Sequence, residues 1–347
     1  MTKVAHIVWG LETGGIETML VNIVNRQVVS ASVTLIVIND KGNRQLLVRI
    51  DPRVDIVLLS RKVGSHNPLP LIRLNTTLLR LRPTAIHCHS YTVANYLLPQ
   101  LRRRSLLTIH TTQIGRMTRK PLLNYKRVYA ISKAVQSMLK EEFSVDSKLI
   151  YNGIDFSRFA QRKSSEYNGY TRIVQVGRLI AEKGHDLSLT ALSTLKDEKW
   201  YFDIIGSGEQ ASHLKQLAED MGISDRVNFL GNCSQEYLFE NLCKYDILLQ
   251  PSTVEGFGLT VVEAMAANVA VIASDVDGLS EVTDCGKYAQ LFPTENSNAL
   301  AAALKQMLHE PVDAKRLDNI RSAAIEKFDI CTTAKQYLTE YEDIANQ

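Results

Sequence analysis

Short runs rich in Val, Ile and Leu alternate along the first half of the chain with longer stretches whose apolar positions recur every three or four residues. The short runs are typical of buried strands, and the longer spacing is typical of helices that pack on one face. Their regular alternation predicts an α/β fold built on a doubly wound parallel sheet. The predicted strands lie at 4–9, 33–38, 54–58, 84–88, 106–110 and 127–131, and helices begin near residue 16 and span 70–81 and 133–143.

The same alternation starts again after a polar segment at 161–169, which has no apolar periodicity and which we interpret as a linker. We therefore predict domains at 1–163 and 164–325, with a C-terminal helix at 326–347 that packs back towards the first domain. In the second domain the pattern predicts strands at 171–176, 200–205, 227–230, 247–250 and 269–273, helices at 185–196, 209–221, 235–244 and 259–267, and a tail that is helical throughout from 297.

Composition agrees with this pattern. The 347 residues are 45% hydrophobic and 22% charged, which is ordinary for soluble domains and sufficient for two cores. The five cysteines are widely spread without a C-x-x-C pair, so we predict neither disulfides nor a zinc site, and a cytoplasmic setting. We expect no signal peptide and no membrane-spanning helix, because no apolar run approaches the roughly 20 residues that a span requires.

Charge is distributed unevenly between the two halves. Residues 1–163 carry 25 Lys and Arg against 9 Asp and Glu, a net charge of +16, whereas residues 164–347 carry a net charge of −13. The basic residues are densest at 102–104 and 116–127, close to Leu and Tyr side chains at 96–101, which favours contact with an anionic membrane surface. A solvated helix face is the alternative. We expect no nucleic-acid binding, since no zinc finger, helix-turn-helix or stacking aromatic pattern accompanies these charges.

One candidate anion site directly follows the strand at 171–176. Gly177 and Gly184 allow the backbone to turn tightly there, and Arg178 and Lys183 place two cations at the strand end. Such a pair of cations could bind a diphosphate. The alternative is a surface turn with solvated charges.

A second candidate site lies where a strand is followed by the helix at 259–267. Gly256 and Gly258 precede a helix start, whose unpaired amides and dipole favour phosphate oxygens. Glu255 lies before this helix and Glu263 on its second turn, within an otherwise apolar sequence, so that a buried Glu263 would require a hydrogen-bonding partner such as a sugar hydroxyl. Glu255 could instead cap the helix. The glycine turn at 206–208 is interpreted as a simple strand-to-helix connection.

Together these motifs resemble the GT-B-fold glycosyltransferases of the large retaining family 4, over nearly the whole chain. The most specific element is the E-x7-E pair from Glu255 to Glu263 with its internal Gly-Phe-Gly. The Arg178 to Lys183 spacing and the segments 14–17 and 152–155 also match. The resemblance implies two Rossmann-like, doubly wound domains that face a central cleft.

The resemblance also implies roles for individual residues. Arg178 and Lys183 would bind the donor diphosphate, Glu255 would contact the transferred sugar, and Glu263 would hold the ribose hydroxyls. His110 matches the family's active-site histidine, and with Arg178, Lys183 and Glu255 it completes the set of expected catalytic residues. The remaining expected contacts to the nucleotide sugar are Gly15 near the diphosphate, Gly231 and Asn232 near the base, and the backbone amides of Phe257, Gly258 and Leu259.

One position departs from the family pattern, and one pair of histidines is not part of that pattern. Asp277 occupies the first position of a motif that usually begins Gly-Gly, followed here by Gly278. His87 and His89 share one face of a strand, but no third metal ligand is apparent, and we interpret them as structural or close to the acceptor. We therefore expect no bound metal.

The implied activity is transfer of a hexose or N-acetylhexosamine from a UDP- or GDP-sugar, with retention of configuration, to a glycan or lipid-linked acceptor. The basic half favours an acceptor at the inner face of the cytoplasmic membrane, as in bacterial surface-polysaccharide synthesis. No cofactor is expected, since protein cations would neutralise the leaving diphosphate. Two alternatives stay open: a nucleotide-sugar epimerase of the same fold, and a non-catalytic nucleotide-sugar-binding subunit.

Overall fold

The computed structural model describes residues 1–12, 15–40, 42, 44–113, 115, 117–162 and 169–345, without the side chains of 44, 45 and 345. The chain divides into two compact units, one formed by residues 1–154 with 328–347 and the other by residues 155–327. The chain first passes from one unit to the other between Ile154 and Asp155, before the polar segment at 161–169.

The first unit contains a parallel sheet of seven described strands in the order β3-β2-β1-β4-β5-β6-β7. These strands are β1 (Lys3–Val8), β2 (Ser32–Asn39), β3 (Asp55–Arg61), β4 (Ala85–Cys88), β5 (Ser105–Ile109), β6 (Arg127–Ala130) and β7 (Lys148–Leu149). The helices between them are α1 (Gly15–Gln27), α2 (Arg44–Val48), α3 (Leu69–Leu81), α4 (Pro99–Arg102), α5 (Arg119–Leu122) and α6 (Lys133–Phe143).

The second unit repeats this architecture with six described parallel strands in the order β10-β9-β8-β11-β12-β13. They are β8 (Thr171–Val176), β9 (Trp200–Ile205), β10 (Val227–Gly231), β11 (Ile247–Gln250), β12 (Ala270–Ser274) and β13 (Gln290–Phe292). Its helices are α7 (His185–Ser193), α8 (Ala211–Asp220), α9 (Gln235–Asn241), α10 (Leu259–Ala266), α11 (Asp277–Val282), α12 (Ser297–His309) and α13 (Ala314–Phe328).

Both sheets confirm the predicted doubly wound topology. Central strands such as β5, β11 and β12 are buried along their whole length, as expected where helices cover both faces of a parallel sheet. The strand order reverses between β1 and β4 in the first unit and between β8 and β11 in the second. Ligands of such sheets bind beyond the carboxyl ends of the strands at this reversal, so the loops after these strands position the site.

The predicted uninterrupted helical tail is wrong, because the tail contains three helices. Pro311 lies in the break between α12 and α13, where a proline cannot continue the hydrogen-bonded ladder. After α13 the chain pairs with Ile154, whose amide and carbonyl bond Phe328 and Ile330 across 2.9 Å each. The last helix, α14 (Ile330–Ala345), then lies in the first unit.

This return to the first unit explains the segment at 152–155. A Cβ atom on Gly153 would lie 2.5 Å from Thr333 Oγ1 and 2.7 Å from Ile330 Cα, so only glycine allows α14 to begin here. Farther along α14, the buried Glu340 accepts hydrogen bonds from Arg127 at 2.7 Å and from Tyr129 at 2.9 Å. The segment at 152–155 therefore has a structural role, because it allows the last helix to dock on the first unit. Within the described residues, no helix is both long and apolar enough to cross a membrane.

Candidate functional site

The loops that follow β8 and β11 pack closely at the strand reversal of the second unit. Gly184 has φ +64°, and a Cβ atom there would lie 2.2 Å from the carbonyl oxygen of Pro251. The amide of Thr253 donates to the carbonyl of Glu182 at 2.9 Å, which ties the two loops together. Glycine at 184 is thus required both by the backbone conformation and by the close approach.

These packed loops bring Lys183 and Glu255 together, 72 residues apart in sequence. Lys183 Nζ lies 2.6 Å from Glu255 Oε2, and both side chains are about one-fifth exposed. The carbonyl of Lys183 is held by Gln175 Nε2 at 2.7 Å, and Gln175 is in turn held by Ser188. The backbone of Lys183 is therefore anchored by Gln175, and its ammonium group is paired with a carboxylate.

Arg178 lies in the same loop as Lys183, and its side chain is exposed. The neighbouring turn after β9 supports this loop, because Cβ atoms on Gly206 and Gly208 would lie 1.9 Å and 2.2 Å from the carbonyl oxygens of Gly177 and Leu179. The interpretation of 206–208 as a simple connection missed this support. The signal in the sequence was the pair of glycines directly after a predicted strand.

The helix α10 carries the second glutamate of the pair. It begins directly after Gly258, which has φ +94°, and Phe257 before it is buried. Glu263 lies on the second turn and is only 8% exposed, and its Oε1 accepts a hydrogen bond from Gln235 Nε2 at 2.9 Å. Leu259, the first residue of the helix, is half-buried. The first amides of a helix have no partner within it and can bind anionic oxygens.

The residues predicted near the base lie at the end of the edge strand β10. Gly231 ends this strand with φ +67°, and Asn232 is exposed. Three residues farther, Gln235 begins α9 and bonds Glu263. The structure thus connects the loop after β10 to α10, and it brings Glu263 close to the segment in which Gly231 and Asn232 were predicted to act.

The altered glycine motif has a physical explanation. Gly278 is buried, and a Cβ atom there would lie 2.2 Å from the carbonyl oxygen of Glu255. Asp277, by contrast, is exposed at the first position of α11, where a carboxylate suits the helix dipole. The second glycine is therefore the one that the site requires, and the first position tolerates a side chain.

We expect the substitution Gly278→Ala to displace Glu255 and to destabilise the protein by about 1–3 kcal/mol, the usual cost of overpacking. Transfer activity should fall further than stability accounts for, because Glu255 moves relative to Lys183. Asp277→Ala is the matched control and should change the unfolding free energy by less than about 1 kcal/mol. Equal activity of the two folded variants would show that the backbone of Glu255 does not depend on this contact.

The first unit contributes the other two candidates. Gly15 is exposed at the start of α1, while Gly14 of the same motif lies outside the described residues. His110 directly follows β5, and its Nε2 lies 3.2 Å from His89 Nδ1. Burial lowers the pKa of His110 to about 3, and its Nδ1 is buried with no hydrogen-bond partner among the described residues.

The sequence showed no third metal ligand beside His87 and His89, and the structure places a third imidazole there. His6 on β1 joins them, and one ring nitrogen from each of the three lies within 4.8 Å of the others. The sequence could not show this, because β1 and β4 become neighbours only through the parallel sheet. All three rings already make hydrogen bonds to protein groups, which favours a structural network over a metal site.

The comparisons with known proteins agree with this geometry. A family model described as Glycosyltransferase Family 4 matches residues 13–158, and one described as Glycosyl transferases group 1 matches residues 157–327. The two matches follow one another and together cover most of the chain, which therefore belongs to glycosyltransferase family 4 and has the GT-B fold.

Three similar proteins illustrate the range of the family. An N-acetylgalactosaminyltransferase from Campylobacter jejuni that acts on N-acetylgalactosamine-N,N'-diacetylbacillosaminyl-diphospho-undecaprenol is 24% identical and aligns over 97% of this chain and 100% of its own length. The O-antigen chain mannosyltransferase RfbU from Salmonella typhimurium is 28% identical over 56% of this chain and 54% of its own length. The crystal structure of HepE from Anabaena with UDP and glucose has a TM-score of 0.82 at 18% identity, and covers 99% of this chain and 100% of that one.

Coverage of the curated relatives varies. The chain spans little more than half the length of several that it matches. At 18% identity, the likeness to HepE shows the fold alone.

Proposed function

We propose that the protein transfers a sugar from a UDP- or GDP-linked donor to a glycan or lipid-linked acceptor, with retention of the anomeric configuration. The observation that carries this proposal is the fixed pair Lys183–Glu255 at the strand reversal, with the buried Glu263 on the helix that follows. A cation, a sugar-facing carboxylate and a ribose-facing carboxylate are the groups that a nucleotide-diphosphate sugar requires. HepE, which has the same fold, was crystallised in complex with UDP and glucose, and the proposed donor class is consistent with that complex.

The difficult step of such a transfer is departure of the diphosphate. Lys183, Arg178 and the amides at the start of α10 would stabilise its developing negative charge, which is usually the largest catalytic contribution. An arriving diphosphate competes with Glu255 for the ammonium group and would free that carboxylate to contact the sugar. We propose front-face substitution, in which the departing phosphate accepts the proton of the acceptor hydroxyl, and we expect this to proceed without a metal ion because protein cations supply the positive charge.

Product analysis tests this function. The purified chain would be incubated with a panel of UDP- and GDP-sugars and lipid-diphosphate-linked glycans, and the product linkage would be read by NMR. We expect one donor class to give a glycoside with the anomeric configuration of the donor. Inversion would contradict the proposed mechanism, and isomerisation of the donor sugar without acceptor would favour an epimerase.

For the acceptor side, we propose that the first unit docks on an anionic membrane at its cytoplasmic face. Arg103, Arg119, Lys120 and Lys126 are exposed, and Leu123 beside them is also exposed, with 60% of its surface accessible. We call these five residues the basic patch. Cations around an exposed leucine suit an anionic lipid surface. The lipid-linked acceptor in the name of the Campylobacter relative is consistent with this docking.

Only part of the basic cluster noted in the sequence is available for this purpose. Arg102 donates to the carbonyl of Leu97 at 2.9 Å and to Asn124 Oδ1 at 3.2 Å, and Arg127 pairs with Glu340. These guanidinium groups hold the fold together. Arg116 lies outside the described residues.

We expect the double substitution Arg119→Glu/Lys120→Glu to weaken binding to vesicles containing phosphatidylserine more than tenfold, at about 1 kcal/mol for each basic residue near the surface. Lys196→Glu/Lys199→Glu in the second unit makes the same change in net charge and serves as the control. Co-sedimentation measures both variants. Equal loss of binding in the two would show that the basic patch is not the docking surface.

A further inference from the structure

A chain of hydrogen-bonded side chains runs through the first unit from Gln27, at the end of α1, to His110. Gln27 Oε1 lies 2.8 Å from His6 Nε2, and His6 Nδ1 lies 3.0 Å from His89 Nε2. His89 Nδ1 lies 3.2 Å from His110 Nε2, and the chain ends at the buried Nδ1 of His110. Both ring nitrogens of His6 and of His89 thus make hydrogen bonds. Because a neutral imidazole donates from one nitrogen and accepts at the other, the direction of the hydrogen bond on one side of a ring determines the direction on the other side.

The direction of this chain is set at its start by Tyr341 on α14. The Tyr341 hydroxyl lies 2.6 Å from His87 Nδ1, and we assign the phenol as the donor and the imidazole nitrogen as the acceptor in this contact. The phenol has one proton, so its oxygen accepts from Gln27 Nε2 at 3.3 Å. The amide of Gln27 is thereby oriented with its oxygen towards His6.

With the Tyr341 and Gln27 bonds assigned in this way, His6, His89 and His110 each have one neutral tautomer that satisfies the chain. A carbonyl oxygen only accepts, so His6 carries its proton on Nε2 and presents a lone pair at Nδ1. His89 must donate to that lone pair from Nε2, which leaves its Nδ1 to accept from His110 Nε2. Burial lowers the pKa of His6 to about 4 and that of His89 well below its ordinary value, so both rings are neutral near pH 7.

We propose that Tyr341 and Gln27 are positioning residues, which act through His6 and His89 to place the proton of His110 on Nε2 and to keep its Nδ1 as a hydrogen-bond acceptor. An acceptor nitrogen held in this way would take a hydroxyl group of the bound sugar. This last step rests on the proposed function, whereas the tautomers are a property of the protein alone. A flipped Gln27 amide would reverse every proton in the chain and turn Nδ1 of His110 into a donor.

Long-range ¹H–¹⁵N correlation spectra of the full chain with ¹⁵N-labelled histidine test the assignment directly, because they distinguish protonated from unprotonated ring nitrogens. Between pH 6 and pH 8 we expect His6, His89 and His110 each to show a protonated Nε2 and an unprotonated Nδ1. A protonated Nδ1 on His110 would overturn the proposal without any variant being made.

Two isosteric variants on α14 then separate positioning from packing. Tyr341→Phe removes the hydroxyl that orients Gln27, whereas Tyr337→Phe removes a buried hydroxyl that contacts Thr108 at 3.0 Å. We expect Tyr341→Phe to produce mixed tautomers at His110 and a loss of up to about tenfold in kcat, with the Tyr337→Phe spectrum unchanged at His110. A single tautomer of His110 in a folded Tyr341→Phe variant would overturn the proposal.

The two ideas fail in different ways. The expected tautomers together with no transfer from any nucleotide sugar would leave this inference intact and reject the proposed function. Transfer activity together with the opposite tautomer of His110 would leave the proposed function intact and reject this inference.

Discussion

Replacing Lys183 with alanine should lower kcat/KM for transfer about 100- to 1,000-fold, the effect typical of removing one group that stabilises a developing anion. Two losses coincide in this variant. The leaving diphosphate would lose the ammonium group of Lys183, and Glu255 would lose the partner that lies 2.6 Å away. Steady-state kinetics with the preferred donor would measure the effect.

Two variants serve as controls for this substitution. Lys183→Arg retains the charge but changes its geometry, and we expect it to recover part of the lost activity. Lys199→Ala removes an exposed lysine from the same unit and should leave turnover unchanged. If Lys183→Ala turned over normally, the diphosphate would have to be bound elsewhere in the unit.

The second large effect concerns the nucleotide ribose. Glu263→Gln should raise KM for the donor about 10- to 100-fold, because an amide would replace the carboxylate that we propose to accept from two ribose hydroxyls, each bond to a charged group contributing about 1.5–3 kcal/mol. We expect kcat to change less, since the proposed ribose contact would be present in both ground state and transition state. Gln235 can still donate to the amide oxygen at position 263, so the fold around α10 should persist.

A donor that lacks the 2′-hydroxyl makes this test specific. Wild-type protein should discriminate against the 2′-deoxy donor, and Glu263→Gln should lose that discrimination. Glu240→Gln, on the exposed side of α9, provides the control and should behave as wild type. Equal discrimination in wild type and Glu263→Gln would place the ribose hydroxyls away from Glu263.

Much of the fold was predictable because local pattern and global topology agree. Apolar runs such as 247–250 form strands that are buried on both faces, and the restart of the alternation after residue 169 marks a second sheet. The burial of Glu263 was also predictable, since its position eight residues after Glu255 places it on the second turn of an apolar helix. These features depend on neighbours within about ten residues in sequence.

The features that the sequence did not reveal depend on contacts between distant residues. The short strands β7 and β13 were not predicted, because two or three residues carry no periodicity and pair only when a sheet edge is already present. The ion pair of Lys183 with Glu255 joins residues that are 72 positions apart. The third imidazole, His6, reaches His89 across 83 positions. In each case the order of the strands in the sheet brings the two distant partners together.

Calorimetric titration of nucleotides gives the most direct test that the second unit binds a diphosphate through Arg178 and Lys183. Wild-type protein should bind UDP or GDP at least tenfold more tightly than the corresponding monophosphate, because the added phosphate meets both cations. The double substitution Arg178→Ala/Lys183→Ala should abolish this difference while monophosphate binding persists through Glu263. An undiminished preference for diphosphate in the double variant, or none in wild type, would contradict the account.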